Sequence, residues 1–313
     1  MSEWKVLLTD GLEENGQAIL RQFATVDNRS GISAEELLQI VGEYDALIVR
    51  GRTKVTPAVF EAGKNLKVVG RAGVGVDNID LNAAKAKGVT VVNSPTATTI
   101  AVAELTIGLM LAVLREIPRA NAGMKEGKWL KKELEGGELW RKTLGIIGFG
   151  RIGSAVAQRA SAFEMNVIAY DPLRTREEIE QRCGCSSTLD DLLEQADIIS
   201  IHTPLNDTTR DLINADAFAK MKDGVYLICA ARGGVVNEEA LLAALESGKV
   251  AGAGLDVFAV EPPGVTPLVA HPRVVCTPHI GAQTVEAQVR AAEDIATEVL
   301  AALKGEPLRW KVA

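Results

Sequence analysis

Thr143-Leu144-Gly145-Ile146-Ile147-Gly148-Phe149-Gly150-Arg151-Ile152-Gly153 is the stretch that decides the fold. An apolar run ends at glycines spaced Gly-x-Gly-x-x-Gly, and an amphipathic run follows. A strand that turns at once into a helix satisfies that spacing. Gly148 permits the tight turn, Gly150 lets backbone amides approach a pyrophosphate, and Gly153 lets helix and strand pack closely. The helix amino end, with Arg151 and Ile152 in its first turn, favours negative charge. Asp171 ends the next apolar run, about 20 residues on, where a carboxylate accepts from ribose hydroxyls and repels a 2′-phosphate. The motif therefore implies a dinucleotide, NAD rather than NADP. Arg174 and Arg176 could hold a phosphate, but Glu177 and Glu178 beside them favour a solvated charged loop.

Outward from this motif, short β-rich runs alternate with amphipathic ones, which predicts βαβ units and parallel sheets. Before it, strands are expected at 5–9, 46–50, 66–70 and 89–93, with another around 25–28, and helices at 34–44, 57–62 and 81–87. Residues 98–117 read as one long helix, apolar on most faces and ended by Pro118. A polar stretch, 124–140, separates the two alternating sets. After it come strands at 143–148, 166–170, 198–202, 225–230, 250–257 and 274–276. Helices are expected at 152–163, 189–195, 215–221 and 238–246, and a last one at 285–303. The expected class is α/β, with two doubly wound parallel-sheet domains.

At 313 residues the chain is long enough for two domains, each with its own core. A formal charge of −7 argues against the basic footprint that nucleic acid or an anionic membrane surface requires. The longest apolar run, 105–114, is too short to cross a bilayer, and from Met1-Ser2-Glu3-Trp4-Lys5 no signal peptide is expected. A cytoplasmic protein is expected. Cys229 and Cys276 lie in apolar strand runs and are expected to be buried. Cys183 and Cys185 flank Gly184 in a turn, and no metal site is expected.

Three ionisable residues follow strand-like runs, and ligands of open parallel sheets bind outside the carboxyl ends of strands. Arg232 follows 225–231, Glu261 follows 254–258, and His279 closes Arg273-Val274-Val275-Cys276-Thr277-Pro278. They read as an anion clamp, a carboxylate orienter and a proton donor whose tautomer the carboxylate fixes. His202 reads as structural or cofactor-lining and His271 as surface. Arg50, Arg52 and Arg71 also follow or end apolar runs, so an anionic substrate is expected. Arg71-Ala72-Gly73-Val74-Gly75-Val76-Asp77 lacks the third glycine of the fingerprint and reads as a nest of amides for a small carboxylate.

Together with the fingerprint, Ala231-Arg232-Gly233-Gly234, Asp256-Val257-Phe258 with Glu261-Pro262-Pro263, and Thr277-Pro278-His279-Ile280-Gly281 resemble the D-isomer-specific 2-hydroxyacid dehydrogenases. Val49-Arg50, Gly70-Arg71-Ala72-Gly73 and Gly75-Val76-Asp77-Asn78 are most similar to the D-3-phosphoglycerate dehydrogenase branch. The resemblance covers essentially the whole chain. It implies a Rossmann NAD-binding domain, 98–284, inserted into a flavodoxin-like substrate domain, 1–97 and 285–313. It implies that Arg232 holds the substrate carboxylate and carbonyl, His279 exchanges the proton, and Glu261 orients His279. Amides near Val74 and Gly75 would meet the carboxylate, while Thr203, Pro204, Ala230 and Asp256 would line the cofactor. Closure of the two domains over the substrate is expected.

A 2-oxo or 2-hydroxy acid is thus the expected small-molecule partner, 3-phosphoglycerate first, on the route to serine, with hydroxypyruvate or glyoxylate reduction as the alternative. A non-catalytic, dinucleotide-sensing co-repressor shares the fold but needs no Arg–Glu–His set. A homodimer or tetramer is implied, in which Lys131 and Lys132 reach a partner's site or form a solvated face. With the sequence ending at Ala313, a short form without regulatory domains is expected.

Overall fold

Strand residues alternate between two apolar faces, and that alternation builds both sheets of the molecule. The structure is a computed structural model that describes residues 4–182 and 184–313. Cys183 and the first three residues, on which two of the expectations above fall, lie outside the described residues. The chain divides into two units, Met1–Thr98 with Ala282–Ala313, and Thr99–Gly281.

The first unit begins β1 (Trp4–Leu8), α1 (Glu14–Arg21), β2 (Ala24–Asn28), α2 (Ala34–Ile40), β3 (Ala46–Val49) and α3 (Pro57–Ala62). It continues β4 (Val68–Arg71), α4 (Leu81–Lys87) and β5 (Thr90–Asn93). All its strands are parallel, in the order β2-β1-β3-β4-β5, the flavodoxin-like arrangement. Leu7, Leu47, Val49, Val69 and Val91 face one apolar layer, and Val6, Leu8, Ile48, Val68 and Val92 face the other. A sheet covered on both sides needs such runs.

The second unit holds α5 (Thr99–Leu114), α6 (Ile117–Lys125), β6 (Thr143–Ile147), α7 (Arg151–Ala162), β7 (Asn166–Tyr170), α8 (Arg176–Glu180), β8 (Cys185–Ser186) and α9 (Leu189–Gln195). Then follow β9 (Ile198–Ile201), α10 (Ala215–Lys220), β10 (Val225–Cys229), α11 (Glu238–Glu246), β11 (Val250–Leu255) and β12 (Val274–Cys276). The parallel order β12-β11-β10-β9-β6-β7-β8 reverses direction between β6 and β9, so the fingerprint turn lies at the topological switch point. Helix α12 (Val285–Lys304) belongs to the first unit and covers β4 and β5. No described helix is long and apolar enough to cross a membrane.

Several elements differ from expectation, α8 and β8 being additional. Pro118 does not end the long helix. That helix stops at Leu114, the chain turns at Glu116 with φ 48°, and Pro118 sits in the first turn of α6, where its missing N–H costs nothing. Helix α1 is additional, and its Gly16 explains why: a Cβ there would lie 2.6 Å from the Ala292 carbonyl, so glycine lets α1 touch α12. Cys229 is buried, Cys276 is half-buried, and Cys185 belongs to the short edge strand β8 rather than a turn.

Gly70 plays the same part between β4 and α12. A Cβ would meet Val299 Cγ2 at 2.6 Å and Ile295 Cγ1 at 3.0 Å. Gly70→Val should therefore cost about 1–3 kcal/mol or more through overpacking. Chemical denaturation would read that as a lower midpoint, with NADH affinity retained; an unchanged midpoint would refute the close packing.

Candidate active site

The fingerprint glycines each have a distinct local reason. Gly148 has φ 90°, and a Cβ would press on the His202 carbonyl at 2.8 Å. At Gly153 a Cβ would run into the Gly148 carbonyl, so α7 can lie close to β6 only as glycine allows. Nothing lies within 4 Å of a Cβ at Gly150, which leaves open space above the turn. Gly150 is also the N-cap of α7 and provides no side-chain cap, so the N–H groups of the first turn, from exposed Arg151 and half-buried Ile152, remain for an anion.

Asp171 sits directly after β7, with Oδ2 accepting from Phe149 N at 2.8 Å and Oδ1 from Leu173 N at 2.9 Å. The carboxylate is thereby fixed against the fingerprint turn. Arg174 pairs with Glu178 and Arg176 with Glu180 on α8, so both guanidiniums are engaged along the helix surface. Across the turn, Thr203 Oγ1 and His202 Nδ1 are buried with no hydrogen-bond partner among the described residues. Pro204 and Ala230 end the neighbouring strands' extensions, Ala230 buried. Open backbone, a free helix amino end, a fixed carboxylate and unpartnered polar atoms together fit a dinucleotide.

Burial pushes the His202 imidazole down to about 4 from its ordinary 6.5, while Nε2 keeps a 2.8 Å hydrogen bond with Ser200 Oγ. The unfolded chain then binds more protons than the folded one between those values. Stability is full above about pH 6.5 and falls as pH drops toward 4, by up to about 3 kcal/mol. His202→Gln should flatten that acid slope in denaturation midpoints; parallel profiles for the two proteins would remove His202 as its source.

Arg232, Glu261 and His279 follow β10, β11 and β12, three adjacent strands of one sheet, and so share its carboxyl edge. Glu261 Oε2 lies 2.7 Å from His279 Nδ1, and Oε1 accepts from Phe258 N at 3.1 Å. An ionised carboxylate only accepts, so Nδ1 carries the proton and Nε2 is the nitrogen left for exchange. Half-buried Arg232 donates from Nη1 to the Ala231 carbonyl at 2.7 Å. Its neighbour Gly233 packs on the Phe258 carbonyl so closely that no Cβ fits, which binds the Arg232 loop to the Glu261 loop.

His279 adopts φ 53°, a left-handed conformation uncommon for a residue with a side chain. Asp256, 1 % exposed, holds the turn in that shape. Its Oδ1 accepts from Thr277 Oγ1 at 2.6 Å and Ile280 N at 2.8 Å, and its Oδ2 accepts from Gly281 N at 2.8 Å. Both oxygens of the residue expected to line the cofactor thus brace the histidine turn. His271 is half-buried in its own turn, its Nδ1 accepting from Arg273 N.

In the first unit, the nest after β4 is braced from β5. Ser94 Oγ accepts from Gly73 N at 2.7 Å, and Asn93 Nδ2 donates to the Val74 carbonyl at 2.7 Å. Among the described residues the Val74 and Gly75 amides donate to no other backbone group. Arg71 Nη1 donates to the Ala72 carbonyl at 3.1 Å. Arg52 is otherwise committed: it pairs with Asp10 at 3.2 Å and donates to the carbonyls of Ile32 and Thr9. That makes Arg52 a brace of the strand ends. Asp10 also accepts from the N–H groups of Arg50 and Thr53. Asp10 and Ser94 escaped the sequence reading, although each follows a strand at the same edge as the arginines.

A nucleotide cradle at a switch point and an Arg–Glu–His strand edge lie in one unit. The chain belongs to the D-isomer specific 2-hydroxyacid dehydrogenase family: residues 107–281 match that family's NAD binding domain. NAD is the dinucleotide of this domain. The chain is 47% identical over 309 residues to D-3-phosphoglycerate dehydrogenase of Synechocystis sp., covering 98% of this chain and 56% of that protein. It is 47% identical over 303 residues to hydroxypyruvate reductase of Thermotoga maritima, covering 96% and 98%. A glyoxylate reductase from Paecilomyes thermophila has TM-score 0.91 at 34% identity, covering 100% of this chain and 99% of that one. The chain spans little more than half the length of the curated phosphoglycerate dehydrogenases it matches.

Proposed function

We propose that this protein interconverts a D-2-hydroxy acid and its 2-oxo acid, with 3-phosphoglycerate and 3-phosphohydroxypyruvate as the substrate pair, on the route to serine. The observation that carries the chemistry is the 2.7 Å Glu261–His279 pair on the strand edge that also bears Arg232. NAD, which Gly148–Gly153 and Asp171 would hold, would accept the hydride in oxidation, and its reduced form NADH would donate it in reduction. His279 Nε2 takes the C2 hydroxyl proton in oxidation, and the resulting imidazolium keeps its Nδ1 proton and donates it in a hydrogen bond to Glu261 Oε2. In reduction the same nitrogen returns a proton to the carbonyl oxygen, which Arg232 polarises. The amides of Val74 and Gly75 serve the C1 carboxylate. Arg50 and Arg71 serve the second anionic group.

Hydroxypyruvate reduction is the second reading. It is favoured by the engagement of Arg52 with Asp10, which lowers the free positive charge, and by the similarity to the Thermotoga maritima protein. The test is a panel of 3-phosphohydroxypyruvate, hydroxypyruvate, glyoxylate and pyruvate with NADH and NADPH. A higher kcat/KM for the phosphorylated acid supports the first reading, and the reverse order supports the second. Preference for NADPH would refute the role of Asp171, and NADH binding with no turnover of any 2-oxo acid would leave a dinucleotide sensor.

The assembly we propose is a homodimer through the NAD-binding unit. Ile117, Met124, Trp129 and Trp140 expose large apolar side chains on α6 and the chain after it, and exposed side chains of this kind suit a protein interface. Lys131 and Lys132 are exposed on the same stretch. Sedimentation of the Ile117→Glu, Trp129→Glu variant should report a monomer; an unchanged mass would move the interface elsewhere. The proposed compartment is the cytoplasm, which fractionation of cells would test.

A further inference from the structure

Gln288, half-buried near the start of α12, uses its carboxamide at both ends. Its Oε1 accepts from an Nη of Arg50, and its Nε2 donates to the Ala282 carbonyl at 2.6 Å. The main chain at Arg50 is fixed by other groups. Its N–H donates to Asp10 Oδ2 at 2.8 Å, and its carbonyl accepts from Asn78 Nδ2 at 2.9 Å. The backbone therefore asks nothing of Gln288. What Gln288 sets is the direction of the guanidinium.

An arginine side chain loses rotamer freedom when it binds, and an acceptor already holding it reduces that loss. Five N–H donors leave the guanidinium able to keep Gln288 and still meet an anion. A neutral acceptor is the fitting partner, because a carboxylate here would pair with Arg50 and compete with the ligand. The second bond, to Ala282, stops the carboxamide from swinging with Arg50.

Resting on the assignment of Arg50 to the second anionic group of the substrate, we propose that Gln288 is a positioning residue. It aims Arg50 and thereby raises the preference for phosphorylated 2-oxo acids over singly charged ones.

Steady-state kinetics with 3-phosphohydroxypyruvate and hydroxypyruvate on wild type, Gln288→Met, Gln288→Glu, Arg50→Met and the Arg50→Met, Gln288→Met double variant test this. Gln288→Met should raise KM for the phosphorylated acid about tenfold, the size of one hydrogen bond to a charged group, and leave kcat near wild type. Gln288→Glu, nearly the same shape, should raise that KM further. On the Arg50→Met background, Gln288→Met should add nothing. A structural role would move both substrates together with the thermal midpoint, and that result would overturn the proposal, as would an undiminished effect without Arg50. Unchanged KM in Arg50→Met locates the failure in the assignment of Arg50. A raised KM there beside an unchanged Gln288→Met locates it in the positioning role alone.

Discussion

Replacing His279 with alanine should lower kcat by about a thousandfold, in the range of a lost general acid–base, while NADH affinity stays within about twofold. The expectation rests on a separation visible within one unit. The cradle at Gly148–Gly153 and Asp171 follows β6 and β7, whereas the histidine turn follows β12, at the far edge of the sheet. Alanine at φ 53° would also strain the turn, so His279→Asn is the stricter variant: asparagine tolerates left-handed backbone and cannot shuttle a proton at neutral pH. Both should lose rate alike. Glu261→Gln keeps an acceptor for Phe258 N but not the charge facing the imidazolium, and should lose about 10–100-fold. Stopped-flow single turnover with fluorescence titration of NADH separates the two quantities. A His279→Asn enzyme near wild-type rate would remove His279 from proton exchange.

The strands were legible because a doubly covered parallel sheet demands near-continuous apolar runs, and the chain order of the motifs located the carboxyl edges. Boundaries moved where one residue type serves two ends. Pro118 suits a helix start as well as a stop, and Gly16 in Glu14–Arg21 looks like a breaker until its contact with α12 is known. The candidate site was legible to the level of strand ends: Arg232, Glu261 and His279 each follow an apolar run that forms a strand, and the sheet order then makes those strands neighbours. Partners were not, because they depend on side chains meeting across distant sequence. Arg52 could be counted as a charge, but Asp10 and two carbonyls decide what that charge does. Gln288 lies on the last helix and meets Arg50 on the third strand's end, a pairing no local pattern encodes.

Asp256 is where that difference has the largest consequence after His279. A buried carboxylate is kept only where donors satisfy it, and here the Thr277 hydroxyl and the amides of Ile280 and Gly281 do so. Asp256→Ala leaves two backbone donors and a hydroxyl without their acceptor, costing about 1–3 kcal/mol for each that stays buried. The turn can then relax from the left-handed conformation at His279, and kcat should fall about a hundredfold as the ring leaves Glu261. Thr277→Val removes one bond of the three and should fall between wild type and Asp256→Ala. Loss of stability alone does not separate a brace of the histidine from a brace of the fold, but coupling does. If Asp256 acts through His279, the double variant Asp256→Ala, His279→Asn turns over no more slowly than His279→Asn, although it unfolds earlier. If the two losses in kcat multiply, Asp256 works on the reaction by another route, such as direct contact with the cofactor, and NADH affinity should fall with it.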